Sequence, residues 1–269
     1  MKAGFDFGST LTKVVWHKGD YHYASTADQP LESILDQIKQ DGVKTLNITG
    51  IGYFTIPLPE DFIHKFPQGD PLEQETHLQA RGAKKLLELE GKDLQNILIV
   101  SIGTGTSFTF FSNGQIEKYP FGNSQGGGYL EKQAIILGLQ NYQELAQYAE
   151  RGTPCDLLVK DKIPATVGSL YGEIVIANFG RATKETSKED LAASSVNQVA
   201  VAIIRDMMKM NLMEKYKVPN DIVLVGSTVK AFPYLREKLS FYNTFLGKNL
   251  HFPSKGEFAS ALGAYHSED

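Results

Sequence analysis

Apolar and polar positions along the chain follow two periods in turn. Residues 3–7 (Ala3, Gly4, Phe5, Asp6, Phe7) and residues 11–16 are extended runs separated by Gly8, Ser9 and Thr10. A third run follows Gly19-Asp20, with Tyr21 and Tyr23 in step. This spacing predicts three strands joined by short turns. Leu31, Ile34, Leu35 and Ile38 fall at helical spacing over residues 31–39 and stop at Asp41-Gly42. Residues 44–49 predict a short strand closed by Gly50. Residues 71–90 predict a helix that Asp70 caps, with Pro71 in its first turn.

The opening theme then returns. Residues 96–101 predict a strand, Gly103-Thr104-Gly105-Thr106 a turn and residues 107–111 a return strand, with Asn113-Gly114 making the next hairpin. Two blocks that each begin strand, turn, strand suggest a weak internal duplication. A helix opens at Gly126-Gly127-Gly128 and another near Tyr142. Residues 181–190 are polar and predict a surface loop, and residues 191–215 predict a long apolar helix that is either core or a dimer surface. A buried-type strand at 222–225 ends in Gly226-Ser227, and two closing helices flank His251-Phe252. Strands alternating with helices make this an α/β protein.

Composition narrows the function classes. The net charge of −4 gives no general attraction to nucleic acid or to an anionic membrane. No apolar run is long enough to span a bilayer, no signal peptide is evident, and the lone Cys155 rules out a disulfide within the chain. The expected setting is cytoplasmic.

Chemistry concentrates in the turns. Asp6, Phe7, Gly8, Ser9, Thr10, Leu11, Thr12 and Lys13 form a glycine and hydroxyl turn of the kind that wraps a phosphate with backbone N–H groups. Asp6, at the end of the first strand, suits Mg²⁺ held through a water, and Lys13 adds a point charge for phosphates. Gly103 to Ser107 offers the same chemistry at the start of the second block, and Val225-Gly226-Ser227 suits the approach of a flat ring. Each segment alone could be an ordinary hairpin or helix start; the three in this order point to a nucleotide.

These segments resemble the phosphate-1, phosphate-2 and adenosine motifs of the actin, hexokinase and heat-shock-chaperone ATPases. Within that superfamily the chain resembles type II pantothenate kinases. Residues 6–13 are similar to their Asp-x-Gly-Gly-Thr-x-x-Lys opening with Ser9 for a glycine, and residues 101–107 to their Gly-Thr-Gly-Thr-Ser loop. Asn178-Phe179-Gly180 and residues 256–264 match further elements, so the resemblance covers nearly the whole chain.

The resemblance implies two ribonuclease-H-like lobes, residues 1–93 and 94–269, with a nucleotide cleft between them and the final helix packing on the N-terminal lobe. It implies phosphorylation of pantothenate to 4'-phosphopantothenate with ATP and Mg²⁺, the first step of coenzyme A biosynthesis. Glu75, seven residues before Gly82, becomes the general base. Thr104, Gly127, Gly128, Tyr142 and Ser227 join residues 6–13 at ATP. The glycine run would offer a helix N-terminus to the triphosphate, or serve only close packing. Thr106, Ser107, Tyr119 and Tyr242 join Glu75 at the acceptor, with Tyr242 reaching the pocket of a second copy in a homodimer.

The family's carboxylate-binding arginine is replaced by Tyr119, although Lys118 is adjacent on the opposite strand face. Pantothenate stays first, with pantetheine or another alcohol, such as a sugar, as the alternative acceptor. A sugar kinase would be expected to carry a sugar-binding Asn-Asp pair; the adjacent Asn220 and Asp221 stand at the start of the buried-type strand. A non-catalytic ATP-binding regulator is the remaining alternative.

Overall fold

The computed structural model describes residues 1–8, 10–54 and 59–267. Strands β1 (Lys2–Phe7), β2 (Thr12–Lys18) and β3 (Asp20–Ser25) form an antiparallel meander. Helix α1 (Leu31–Gln40) leads to β4 (Thr45–Thr49), parallel to β1. A 3₁₀ turn at Ile51–Phe54 precedes β5 (Ile63–Lys65), parallel to β4. Helix α2 (Pro71–Leu89) closes this half.

The second half repeats the plan with β6 (Asn96–Ile102), β7 (Thr106–Ser112) and β8 (Gln115–Lys118), again an antiparallel meander. Next come α3 (Gly127–Ile136), α4 (Tyr142–Arg151), the two-stranded β9 (Leu157–Leu158) and β10 (Val175–Ala177), and α5 (Lys188–Asn211). The chain ends through β11 (Asp221–Val225), α6 (Ser227–Ala231), α7 (Pro233–Tyr242), β12 (Asn249–His251) and α8 (Ala259–His266). The sheet orders are β3-β2-β1-β4-β5 and β12-β11-β6-β7-β8. Read from the other edge, the second order is β8-β7-β6-β11-β12, and its strand directions match those of the first. The duplication suggested by the sequence is therefore a duplication of sheet topology.

Burial explains the strand patterns. Leu98, Val100 and Ile102 of β6 join the core beneath α5, while Ile97 and Ile99 join a second core with α2 and α8. A strand buried on both faces reads as a continuous apolar run. Strand β1 differs: Ala3, Phe5 and Phe7 enter the core under α1, and Gly4 meets α8 on the opposite face. Asp6 therefore shares the face of Gly4. Helix α8 packs on α2, β1, β2 and β4, so the end of the chain lies against the first sheet.

Helix α2 starts as its cap residues dictate. Asp70 Oδ1 accepts from the Leu72 and Glu73 N–H groups at 3.0 and 2.9 Å, and Pro71 needs no partner at the first helical position. Further along, α2 and α8 cross backbone to backbone at two glycines. A Cβ on Gly82 would lie 1.8 Å from the Ala259 carbonyl oxygen, and one on Gly263 would lie 1.8 Å from that of Leu78.

Two expectations are corrected. Helix α5 begins at Lys188, inside the polar stretch expected to be loop, because Ser187 caps it by accepting from the Asp190 N–H. It ends at Asn211, four residues before the expected Lys215. Most of α5 is core, with Met207 and Met210 fully buried.

Candidate active site

The first cluster is built from β1, β2, α2 and β8. Lys13 stands opposite Asp6 in the antiparallel register, which places both side chains on one face. The Lys13 ammonium lies 3.6 Å from the Asp6 carboxylate. Burial pushes the Asp6 carboxyl above the ordinary carboxylate range, and Lys13 offsets only part of that shift. Glu75, on the second turn of α2, shares the same field. Its carboxyl is pushed up to about 7, mainly by burial and further by the Asp6 charge, while Lys118 and Lys13 pull it down.

Strand alternation explains which cation faces Glu75. Ile116 of β8 packs on the core side that carries α2, and Lys118 has the same parity. Tyr119, expected at the acceptor, is instead packed inside the second lobe. Its ring meets Phe108 and Tyr216 with centroids at 6.3 and 5.0 Å, and its hydroxyl points to Met213 Sδ at 3.8 Å.

The turn after β1 is closed by the Gly8 N–H, which donates to the Leu11 carbonyl at 3.1 Å. That N–H is committed within the turn, and the Phe7 ring is wholly core. The Thr12 N–H donates to Thr26 Oγ1 at 2.9 Å, while Thr10 is exposed. Ser9 lies outside the described residues.

The second cluster gathers the other turn with the starts of α3, α4 and α6. The Gly127 and Gly128 N–H groups donate to the carbonyls of Gly103 and Thr104 at 2.6 and 2.9 Å. This glycine run packs closely on the second turn: a Cβ on Gly126 would lie 2.8 Å from the Thr104 carbonyl oxygen. Thr228 Oγ1 donates to the Gly103 carbonyl at 3.1 Å. Tyr142 hydrogen-bonds Thr228 through its hydroxyl, and burial pushes that phenol up to about 12. Its ring meets Phe232 edge to face at 4.6 Å. Ser227 is half-buried beside this group. Gly226, with φ of 109°, lets the chain turn from β11 into α6 against the Ile102 carbonyl.

The remaining acceptor candidates separate. Thr106 Oγ1 donates to the Gln125 carbonyl at 2.8 Å, so Thr106 ties the loop at 122–125 to β7. Ser107 has the opposite parity and pairs with Ser101 in register. Tyr242, expected at a second copy's pocket, is buried within its own lobe, where its hydroxyl meets the Asn197 side chain. Two residues here were not among the expected site residues. Lys118 was legible as the opposite face of position 119, and Thr228 as the hydroxyl residue after Gly226-Ser227.

A nucleotide-bound Mg²⁺ fits this arrangement. Burial raises the carboxyl of Asp6 and Lys13 offsets only part of that shift, so a cation beside it would favour the carboxylate. Among the described residues no group of three or more His, Cys, Asp and Glu could hold a metal ion. One carboxylate suits a hydrated ion that arrives on phosphate oxygens. Among the described residues, no helix is long and apolar enough to cross a membrane.

The sequence profile of the Fumble family matches residues 17–267. A type II pantothenate kinase of Staphylococcus epidermidis is 28% identical over 273 residues, covering 99% of this chain and 100% of that protein. One from Staphylococcus aureus is 25% identical over 280 residues, covering 100% of both. Among solved structures, the activator of 2-hydroxyisocaproyl-CoA dehydratase from Clostridium difficile, with bound ADPNP, superposes with a TM-score of 0.62 at 14% identity, over 98% of this chain and 92% of that one. Component A of the Acidaminococcus fermentans (R)-2-hydroxyglutaryl-CoA dehydratase gives 0.62 at 17% identity, over 98% and 95%. These likenesses show an actin-like ATPase fold of two mixed sheets. The chain belongs to the Fumble family of type II pantothenate kinases and is an ATP-dependent kinase.

Proposed function

We propose that the protein phosphorylates pantothenate to 4'-phosphopantothenate, with Glu75 as general base. The observation that carries this reading is the Glu75 carboxyl, held near 7 beside Asp6 and Lys13 at the first turn. A base with that affinity is half ionised at neutral pH and strong enough to take a proton from an attacking hydroxyl. Phosphoryl transfer otherwise needs alignment and charge neutralisation more than covalent help. Asp6 and Lys13 lie where the phosphates of ATP would enter, and the cluster of Thr104, Gly127, Gly128, Tyr142, Ser227 and Thr228 would hold the rest of the nucleotide. Asp6 would hold Mg²⁺ that arrives with ATP, and the ion would supply charge neutralisation at the phosphates.

We propose a homodimer as well. Ile163, Val167, Leu170, Tyr171 and Ile176 are all exposed within one short stretch. An apolar group of this kind is a surface for a second copy.

Purified protein should consume ATP in the presence of pantothenate, and more slowly with pantetheine or N-acetylglucosamine. Turnover restricted to pantetheine would move the acceptor to a neutral alcohol. Absence of turnover with all three, despite ATP binding, would contradict the reading.

A further inference from the structure

Between the loop at 122–125 and the middle of α5 lies a cavity of about 440 Å³. Asn123, Gln125, Asn178 and Gln198 give it a polar wall, with Arg205, Asp206 and Lys209 from α5. Asp206 is already engaged: Asn123 Nδ2 donates to it at 2.9 Å and Lys209 pairs with it at 3.1 Å. Arg205 is different. Its Nη2 donates to the Val175 carbonyl at 2.5 Å, and among the described residues it has no carboxylate partner. With Asp206 and Lys209 cancelling, the lining keeps one positive charge, on a fork of donors.

A second observation points to a ligand. Gln125 Oε1 and Asn178 Oδ1 are both buried without a hydrogen-bond partner. Unpaired buried amide oxygens are destabilising, and a ligand with N–H or O–H donors would relieve them after a small rotation of each amide. The cavity therefore suits a monoanion that also carries an amide or hydroxyl donor. A guanidinium with free N–H groups takes a carboxylate through two parallel bonds. The cavity also adjoins the second turn: Thr106 Oγ1 donates to the Gln125 carbonyl, and Thr106 and Asn123 exchange backbone bonds at 2.8 and 2.9 Å.

We propose that Arg205 binds the carboxylate of the acceptor in this cavity and sets the preference for an acid over a neutral alcohol. This rests on the reading that the acceptor is pantothenate, which joins a carboxylate, an amide and hydroxyls in one molecule. Arg205 is a specificity-determining residue remote from the transferred phosphate, so its loss acts on KM more than on kcat.

The test compares wild type with Arg205→Gln and Arg205→Lys, using both turnover and calorimetric titration with pantothenate. Arg205→Gln should raise KM and Kd for pantothenate about ten- to a hundred-fold, with a much smaller effect on kcat and on pantetheine turnover. Arg205→Lys should recover part of the loss. Inorganic phosphate should not displace pantothenate at equal concentration. If Arg205→Gln keeps the wild-type ratio of pantothenate to pantetheine turnover, the inference fails and the kinase reading stands. If wild type binds pantothenate through Arg205 but phosphorylates no acceptor, the kinase reading fails and the inference stands. Wild type that does not bind pantothenate, or equal displacement by phosphate, overturns the inference. If Arg205→Gln does not fold, the lysine variant decides alone, since an unchanged Kd for pantothenate there overturns the bidentate assignment.

Discussion

Replacing Glu75 with Gln lowers kcat by about 10²- to 10⁴-fold, the usual contribution of a positioned general base. The substitution keeps the size and most of the hydrogen-bonding capacity of the side chain. It removes the carboxylate that shares its field with Asp6, Lys13 and Lys118. ATP affinity should hold, because the nucleotide cluster around Gly103, Tyr142 and Thr228 is built from other elements. Steady-state kinetics with an ATP-binding titration checks both parts. Full turnover in the variant would mean that the acceptor hydroxyl loses its proton elsewhere. A large loss of ATP binding would mean that Glu75 holds the fold of the cleft and is not its base.

Gly82→Ala is the second large effect. The added Cβ would sit 1.8 Å from the Ala259 carbonyl oxygen, which is backbone and cannot rotate away. Helices α2 and α8 must then separate, and overpacking of this kind costs about 1–3 kcal/mol. Glu75 rides on α2 two turns before the crossing, so the separation also displaces the base. A misplacement of about 1 Å lowers turnover on the order of 10²-fold. Gly263→Ala should act alike, since its Cβ would meet the Leu78 carbonyl at the same distance. Thermal unfolding and kcat measured on both variants check this, and wild-type values for either quantity would contradict the tight crossing. The crossing also gives a physical reason for a glycine seven residues after the base.

Much of this was legible because the local signals agreed with one another. Two strand-turn-strand blocks gave the duplicated topology, and Asp70-Pro71 gave the start of α2. Asn113 and Gly114 both adopt positive φ in the hairpin between β7 and β8, as their type predicts. Elements of two or three residues, such as β5, β9 and β10, carry too little period to be read. The site was legible in its residue types more than in their directions. Alternation says that Lys118 and Tyr119 point apart; only the packing of Ile116 against the α2 side says which of them faces Glu75. The glycines at 126–128 suggest an anion site or close packing, and the partners of their N–H groups show close packing against Gly103 and Thr104. The field around Glu75 joins the β1–β2 hairpin, α2 and β8, three segments distant in sequence, so no spacing rule exposes it.

The central claim is that a half-buried Glu75 acts as a base toward pantothenate, and the pH dependence of kcat/KM tests it most directly. A general base works only when ionised, so activity must fall as pH drops below its affinity for the proton. Wild type measured from about pH 5 to about pH 9 should show an acid limb centred near the value of about 7 that burial gives this carboxyl. Lys118→Met removes a charge that lowers it, and should move the limb to higher pH. A profile that stays flat through this range, or a limb that Lys118→Met moves to lower pH, would contradict the account.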